Sequence, residues 1–351
     1  MRVFVCLLVA AFCLESQQPQ ASGQKPPTNP QTIPSSQTPI RVDVQEVIVP
    51  VTVTDEKGKF VSDLVQSDFQ ILDQGKQQYI QYFSRERAQP VVVGILLDLS
   101  NNSRTHWKQY QDAAMELANT LVPGDKRYSG YLIGYGSDAE LKVNTTNDAE
   151  KIMDSIRKMK PGGGSALYDA IYLACTKRSL VAGEPVDPRR VVVVIGDGND
   201  NSSSKTLDQV VELAQRNLVT VYGISTSAYG FEAAGDASLV RLARETGGRV
   251  EYPLVNPYSD VSGYLSTPSD DGNYAYAVGT GGYASAVASS IFKSVAHIAG
   301  EVTTQYILRY IPDIPAESLR QYRSIEVKVS LANVTVRARK GYYPFAVNPG
   351  N

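Results

Sequence analysis

The chain has 351 residues, 42% of them hydrophobic, and 34 basic against 36 acidic side chains give a formal net charge of -2. That is enough apolar material to fill one large or two modest cores, which excludes wholesale disorder, and the balanced charge leaves no electrostatic footprint for nucleic acid. Two histidines and three cysteines exclude a His-rich metal centre, a four-Cys zinc site and a disulfide framework.

Taken in chain order, the first element is an address. Met1 and Arg2 give a positive start, and residues 3–14 are an apolar run shorter than the ~20 residues a membrane-spanning helix needs. Ala21, Ser22 and Gly23 supply the small residues of a cleavage site, so residues 1–23 are expected to be a signal peptide. The protein is then exported, to be periplasmic, envelope-associated or secreted, with no stable membrane span once the signal is removed. A lipidated Cys13 is disfavoured by the bulky Phe12 before it. Residues 24–39 hold Pro26, Pro27, Pro30, Pro34 and Pro39 among polar residues and read as an extended, solvated tether.

Residues 40–89 change to a strand pattern. Val47, Val49, Val51 and Val53 alternate with other residues, which puts one apolar face on a strand, and Pro50 within it predicts an edge strand or a bulge. Lys57-Gly58 and Gln74-Gly75 are turn signals; 69–72 and 79–83 are the next expected strands. Residues 304–345 read alike, with Tyr306, Leu308 and Tyr310, then Ile325, Val327 and Val329, then Val334 and Val336 in alternation. Neither set is large enough to stand alone. Both ends are therefore expected to join in one small β-sandwich, with residues 90–303 as a domain inserted between them.

That inserted segment alternates strands and helices. Residues 91–97 and 191–195 are continuously apolar, as strands covered on both faces of a parallel sheet are, and 218–224 is a third such run. Trp107, Tyr110, Ala114, Leu117 and Leu121 recur at helical spacing, as do Leu207, Val210, Val211 and Ala214. Cys175 lies in an apolar helical stretch and reads as a small buried hydrophobe. The pattern predicts a doubly wound, mainly parallel α/β sheet of Rossmann-like architecture, whose ligands bind beyond the carboxyl ends of its strands.

Three polar clusters stand at or near such ends: Asp98 to Ser103 after the first buried strand, Gly162 to Asp169 at a helix start, and Gly196 to Asp200 after the second. Each has a local reading, as a turn or, for Ser165, as a helix N-cap. Together they gather carboxylates, hydroxyls and amides, the hard oxygen donors a divalent cation such as Mg²⁺ or Ca²⁺ takes. An enzyme reading finds little to build on. His106 and His297 have no Gly-x-Ser-x-Gly partner, and the glycines at 162–164 lack both the Lys-Ser/Thr ending of a phosphate loop and a dinucleotide fingerprint. Residues 253–287 set Tyr258, Tyr264, Tyr274 and Tyr276 among Gly, Ser and Asp. Such a segment is either a surface insertion or, by composition, a partner-binding loop.

The motifs carry a resemblance over roughly residues 40–345. They are Val49-Pro-Val-Thr-Val-Thr-Asp55, Asp73-Gln-Gly75, Leu96-Leu-Asp-Leu-Ser100, Gly163-Gly-Ser-Ala-Leu-Tyr-Asp-Ala-Ile171, Ile195-Gly-Asp-Gly-Asn-Asp200, Thr246-Gly-Gly-Arg249, Tyr306-Ile-Leu-Arg-Tyr310 and Arg339-Lys-Gly-Tyr-Tyr343. In that order they resemble a von Willebrand factor type A domain protein, and more narrowly the VWFA-related proteins of acidobacteria. The resemblance implies a metal ion-dependent adhesion site on Asp98, Ser100, Asn102, Ser165 and Asp197. Asn102 stands in place of the motif's second serine, with Ser103 one residue out of register, and Gly196 stands where many relatives have Thr. It further implies a non-enzymatic module in which a partner protein's Asp or Glu completes the coordination of Mg²⁺ or Ca²⁺. A metal-free scaffold, binding through the sandwich or the Tyr-rich loop, is the alternative reading.

Overall fold

The computed structural model describes residues 46–85, 90–176, 188–227, 235–254, 281–313 and 321–344. The expected signal peptide and tether, and Tyr258, Tyr264, Tyr274 and Tyr276, lie outside the described residues. The strands are β1 (Val47–Thr54), β2 (Phe69–Asp73), β3 (Lys76–Gln78), β4 (Tyr82–Ser84), β5 (Val91–Asp98), β6 (Tyr128–Tyr135), β7 (Ala139–Thr146), β8 (Arg189–Gly196), β9 (Val219–Ser225), β10 (Val250–Glu251), β11 (Tyr306–Tyr310), β12 (Arg323–Val329), β13 (Thr335–Ala338) and β14 (Gly341–Tyr342). The helices are α1 (Trp107–Leu121), α2 (Ala149–Lys158), α3 (Leu167–Thr176), α4 (Leu207–Arg216), α5 (Asp236–Thr246) and α6 (Gly281–Thr304).

The end strands form two four-stranded sheets, ordered β13-β1-β11-β4 and β14-β12-β2-β3. Each sheet thus mixes strands from both ends of the chain. Their inner faces share one core, in which Val49, Val51 and Leu308 of one sheet meet Phe69, Ile71 and Ile325 of the other. This is the sandwich the alternating pattern predicts.

Two details differ from the sequence reading. The expected strand at 79–83 is split, because this stretch crosses between sheets: β3 pairs with β2 in one, and β4 with β11 in the other. Ile80 is buried at the crossing while Tyr79 is exposed. Pro50 lies in a central strand, not at a sheet edge. It is opposite Ile307 of β11, while β13 joins β1 only from Val51 onward, so at Pro50 only one side of the strand is paired and the missing N–H breaks no ladder.

Between the ends lies a six-stranded sheet ordered β10-β9-β8-β5-β6-β7, parallel except for β7. Val91, Val93, Ile95 and Leu97 of β5 pack with α1, α2 and α6; Val92 and Leu96 pack with α3, α4 and α5. Burial on both faces is why β5 and β8 read as unbroken apolar runs. β6 and β7 give no such run, since glycine and tyrosine dilute one and polar residues alternate in the other. Among the described residues, no helix is long and apolar enough to cross a membrane.

Candidate functional site

The chain leaves β5 for α1 on one face of the sheet and leaves the adjacent β8 for α4 on the other. The two exits diverge and open a crevice at the carboxyl ends, the place where α/β sheets bind ligands. Asp98 ends β5 and Asp197 follows β8, so the topology brings both carboxylates to the lip of that crevice. Both are buried.

Asp98 is held by its own loop. Its Oδ1 accepts from the Ser100 backbone N–H at 2.7 Å and its Oδ2 from Ser100 Oγ at 3.1 Å. Burial pushes the Asp98 carboxyl up to about 6; the Ser100 N–H pulls it down, and the Asp197 carboxylate adds to the rise. The charged form is thus disfavoured by desolvation and by a like charge together. Beyond Ser100 the chain makes a 3-10 turn over Asn101–His106. That turn leaves Asn102 more exposed and buries Ser103. Ser103 Oγ stands near enough to Asp98 to favour its charged form, yet is not aligned into a hydrogen bond with any described residue.

Asn102 reaches the other carboxylate: its Nδ2 donates to Asp197 Oδ2 at 2.9 Å. Asn199 donates to the same oxygen through Nδ2 at 2.7 Å, and its backbone N–H donates to Oδ1 at 3.0 Å. Ser165 lies between the loops. Its Oγ donates to the Asn199 carbonyl at 2.8 Å, and its N–H donates to Asn201 Oδ1 at 2.8 Å. Ser165 therefore does not cap α3. That work falls to Asp200 Oδ2, which accepts from the Tyr168 N–H at 2.8 Å, and to Ser203 Oγ, which accepts from the Asp169 N–H at 2.9 Å.

The first loop is stitched to the second by Asn101 N–H to the Gly163 carbonyl (3.1 Å) and Gly162 N–H to the Leu99 carbonyl (2.5 Å). Gly163 has φ 99°, a left-handed conformation that glycine adopts without strain. All five expected ligands, Asp98, Ser100, Asn102, Ser165 and Asp197, thus stand on three mutually bonded loops. Tyr135, Ser103, Asn199 and Asp200 complete the surroundings; the last three stand in the polar clusters read from the sequence, whereas Tyr135 was not singled out. Asp200 was visible as the last residue of the third cluster, but its capping role requires knowing that this loop meets α3. Among the described residues, no group of three or more His, Cys, Asp or Glu is gathered; the donor set here is two carboxylates with hydroxyls and amides.

The family model for the von Willebrand factor type A domain matches residues 93–256, which runs from β5 past β10. Residues 93–256 form a von Willebrand factor type A domain. The chain also has 38% identity over 96 residues with an uncharacterized protein of Borreliella burgdorferi, covering 26% of this chain and 27% of that one. The chain thus spans about a quarter of the length of the curated relative it matches. Among solved structures, the chain is similar to an aerotolerance-related membrane protein of Bacteroides fragilis, at 21% identity and a TM-score of 0.38, covering 46% of this chain and 90% of that one. It is also similar to a mutant of the PilB minor pilin of Streptococcus sanguinis, at 12% identity and a TM-score of 0.42, covering 65% and 64%. The strand order and the family match together identify the domain; such modules often mediate protein–protein interaction.

Proposed function

We propose that this is an exported protein-binding module, not an enzyme, whose type A domain holds Mg²⁺ or Ca²⁺ on Asp98, Ser100, Asn102, Ser165 and Asp197 and captures a partner protein through a carboxylate. One observation carries this reading. Two buried carboxylates from adjacent strands are brought together among hydroxyls and amides, and burial, with their mutual repulsion adding to it, raises Asp98. The buried hydroxyls of Ser103 and Tyr135, without partners among the described residues, add unused hard-donor capacity beside them. This is the chemistry a small hard cation takes. When bound, the cation supplies positive charge and an open position for a partner's Asp or Glu. The chain's own residues do the rest: Asp98 and Asp197 lower the ion's charge, and the stitched loops fix their spacing. Rotating the Asn102 amide turns its oxygen inward in place of the nitrogen.

The export signal at 1–23 and the tether at 24–39 support an envelope or extracellular location, with Tyr258, Tyr264, Tyr274 and Tyr276 as additional partner contacts. A second reading, the metal-free scaffold, is favoured by the two amide N–H groups that already satisfy Asp197 Oδ2. Pull-down from an envelope extract separates the readings. Capture in millimolar Mg²⁺ that is released by EDTA and lost in Asp197→Ala supports the first; capture indifferent to EDTA overturns it.

A further inference from the structure

Tyr135 is not accounted for by the ligand set. It stands on β6 opposite Asp98 in the sheet register and is buried, and its hydroxyl has no hydrogen-bond partner among the described residues. A buried donor left unpaired is unfavourable. The position of that hydroxyl depends on Gly196. A Cβ at 196 would lie 2.2 Å from the Tyr135 oxygen, 2.9 Å from Asp98 Cβ and 3.3 Å from Asp98 Oδ2. The phenol oxygen therefore occupies the space that a side chain at 196 would fill, and Asp98 Oδ2 borders the same space. Among the described residues Oδ2 accepts a hydrogen bond from Ser100 Oγ at 3.1 Å and retains capacity for a second donor. Burial first, and then the charges of Asp98, Asp197 and Asp200, keep the phenol protonated, so it is available as a donor.

We infer that Tyr135 is a positioning residue of the cation site: once the ion is bound, its hydroxyl, unpaired without the ion, donates to the Asp98 carboxylate through the gap at Gly196 and holds it in the orientation that ligates. This rests on the cation reading above. It assigns to β6, an element that carries no ligand, a part in setting the site's affinity. It also explains why residue 196 must lack a side chain here: any Cβ would displace the hydroxyl.

The test uses the full chain, wild type and three variants: Tyr135→Phe, Tyr135→Phe with Gly196→Ser, and Tyr135→Phe with Gly196→Ala. Melting temperatures are measured in EDTA and in MgCl₂ or CaCl₂, and dissociation constants by calorimetry. Tyr135→Phe is expected to melt no lower than wild type in EDTA, because it removes an unpaired buried donor. It is expected to bind the cation about tenfold more weakly, the effect typical of losing a group that orients a ligand. The serine double variant, which returns a hydroxyl to the gap, regains affinity; the alanine one, which returns only volume, does not. Unchanged affinity in Tyr135→Phe, equal affinities in the two double variants, or a lower melting temperature in EDTA would each overturn the assignment. Failure of wild type to bind either cation would sink the cation reading itself, before any variant is compared, and this assignment with it.

Discussion

Asp98 concentrates the electrostatics of the site. Its carboxyl is raised from 3.8 to about 6, so the folded protein binds that proton more tightly than the unfolded chain does. The contribution of this carboxyl to stability is therefore most favourable below about pH 4, falls as pH rises between about 4 and 6, and carries its full penalty above that window. A rise of this size corresponds to at most about 3 kcal/mol. In EDTA at pH 7, Asp98→Asn should thus unfold at higher urea than wild type, and the gain should vanish below about pH 4. A variant no more stable at pH 7 would contradict the raised carboxyl. At this scale the sequence was informative where chemistry clusters locally: Asp98, Ser100 and Asp197 stand at the ends of apolar runs, and a strand end in this fold is a site. The burial of Ser103 beside Asp98 and the place of Tyr135 were out of reach for separate reasons. Ser103 turns inward only because Asn101–His106 coils as a 3-10 turn, and Tyr135 meets Asp98 only through the sheet register.

The elements depend on one another for their ends. The first amides of α3 are capped by Asp200 and Ser203 of the third loop, and Ser203 Oγ in turn donates to Asp200 Oδ2 at 2.5 Å. Asp200→Ala should lower stability by about 1–2 kcal/mol, the usual loss when a cap is removed, and should speed hydrogen exchange at the Tyr168 amide. Exchange unchanged there would mean that the helix start does not rely on the loop. The helices at 107–121 and 207–216 were legible because each repeats its period over two or more turns, and the buried strands because each is an unbroken apolar run. The crossing at 79–81 was not, since Tyr79-Ile80-Gln81 runs into the strand residues Tyr82-Phe83 and is apolar enough to imitate a strand, while of its three residues only Ile80 is buried. Pro50 misled for a related reason: proline marks a missing neighbour on one side, which a central strand also has where its second partner starts late.

Across the whole molecule, the sandwich and the type A domain meet at Glu301 near the end of α6. Its carboxylate accepts from Thr52 Oγ1 of β1 at 2.9 Å, Tyr222 OH of β9 at 3.2 Å and Arg337 Nη2 of β13 at 2.7 Å, and it pairs with Arg249 Nε at 3.1 Å. The side chain is only 5% exposed; removing it takes the carboxylate from Arg337, Thr52 and Tyr222, while Arg249 keeps Glu251. Glu301→Ala should cost about 3–5 kcal/mol and split one cooperative thermal transition into two, read by calorimetry; a single transition at the wild-type temperature would mean that the two parts are not coupled there. That both ends of the chain build one sandwich was legible, because neither set of strands suffices alone. The carboxylate joining that sandwich to the inserted domain was not, since its partners lie 36 to 249 residues away. The cation remains the central claim, and one measurement bears on it most directly: calorimetric titration of the full chain with Mg²⁺, Ca²⁺ and Mn²⁺ beside Asp98→Ala and Asp197→Ala. Saturable binding by wild type that disappears in both variants is the predicted result. A folded wild type that takes up none of the three at millimolar concentration would contradict it.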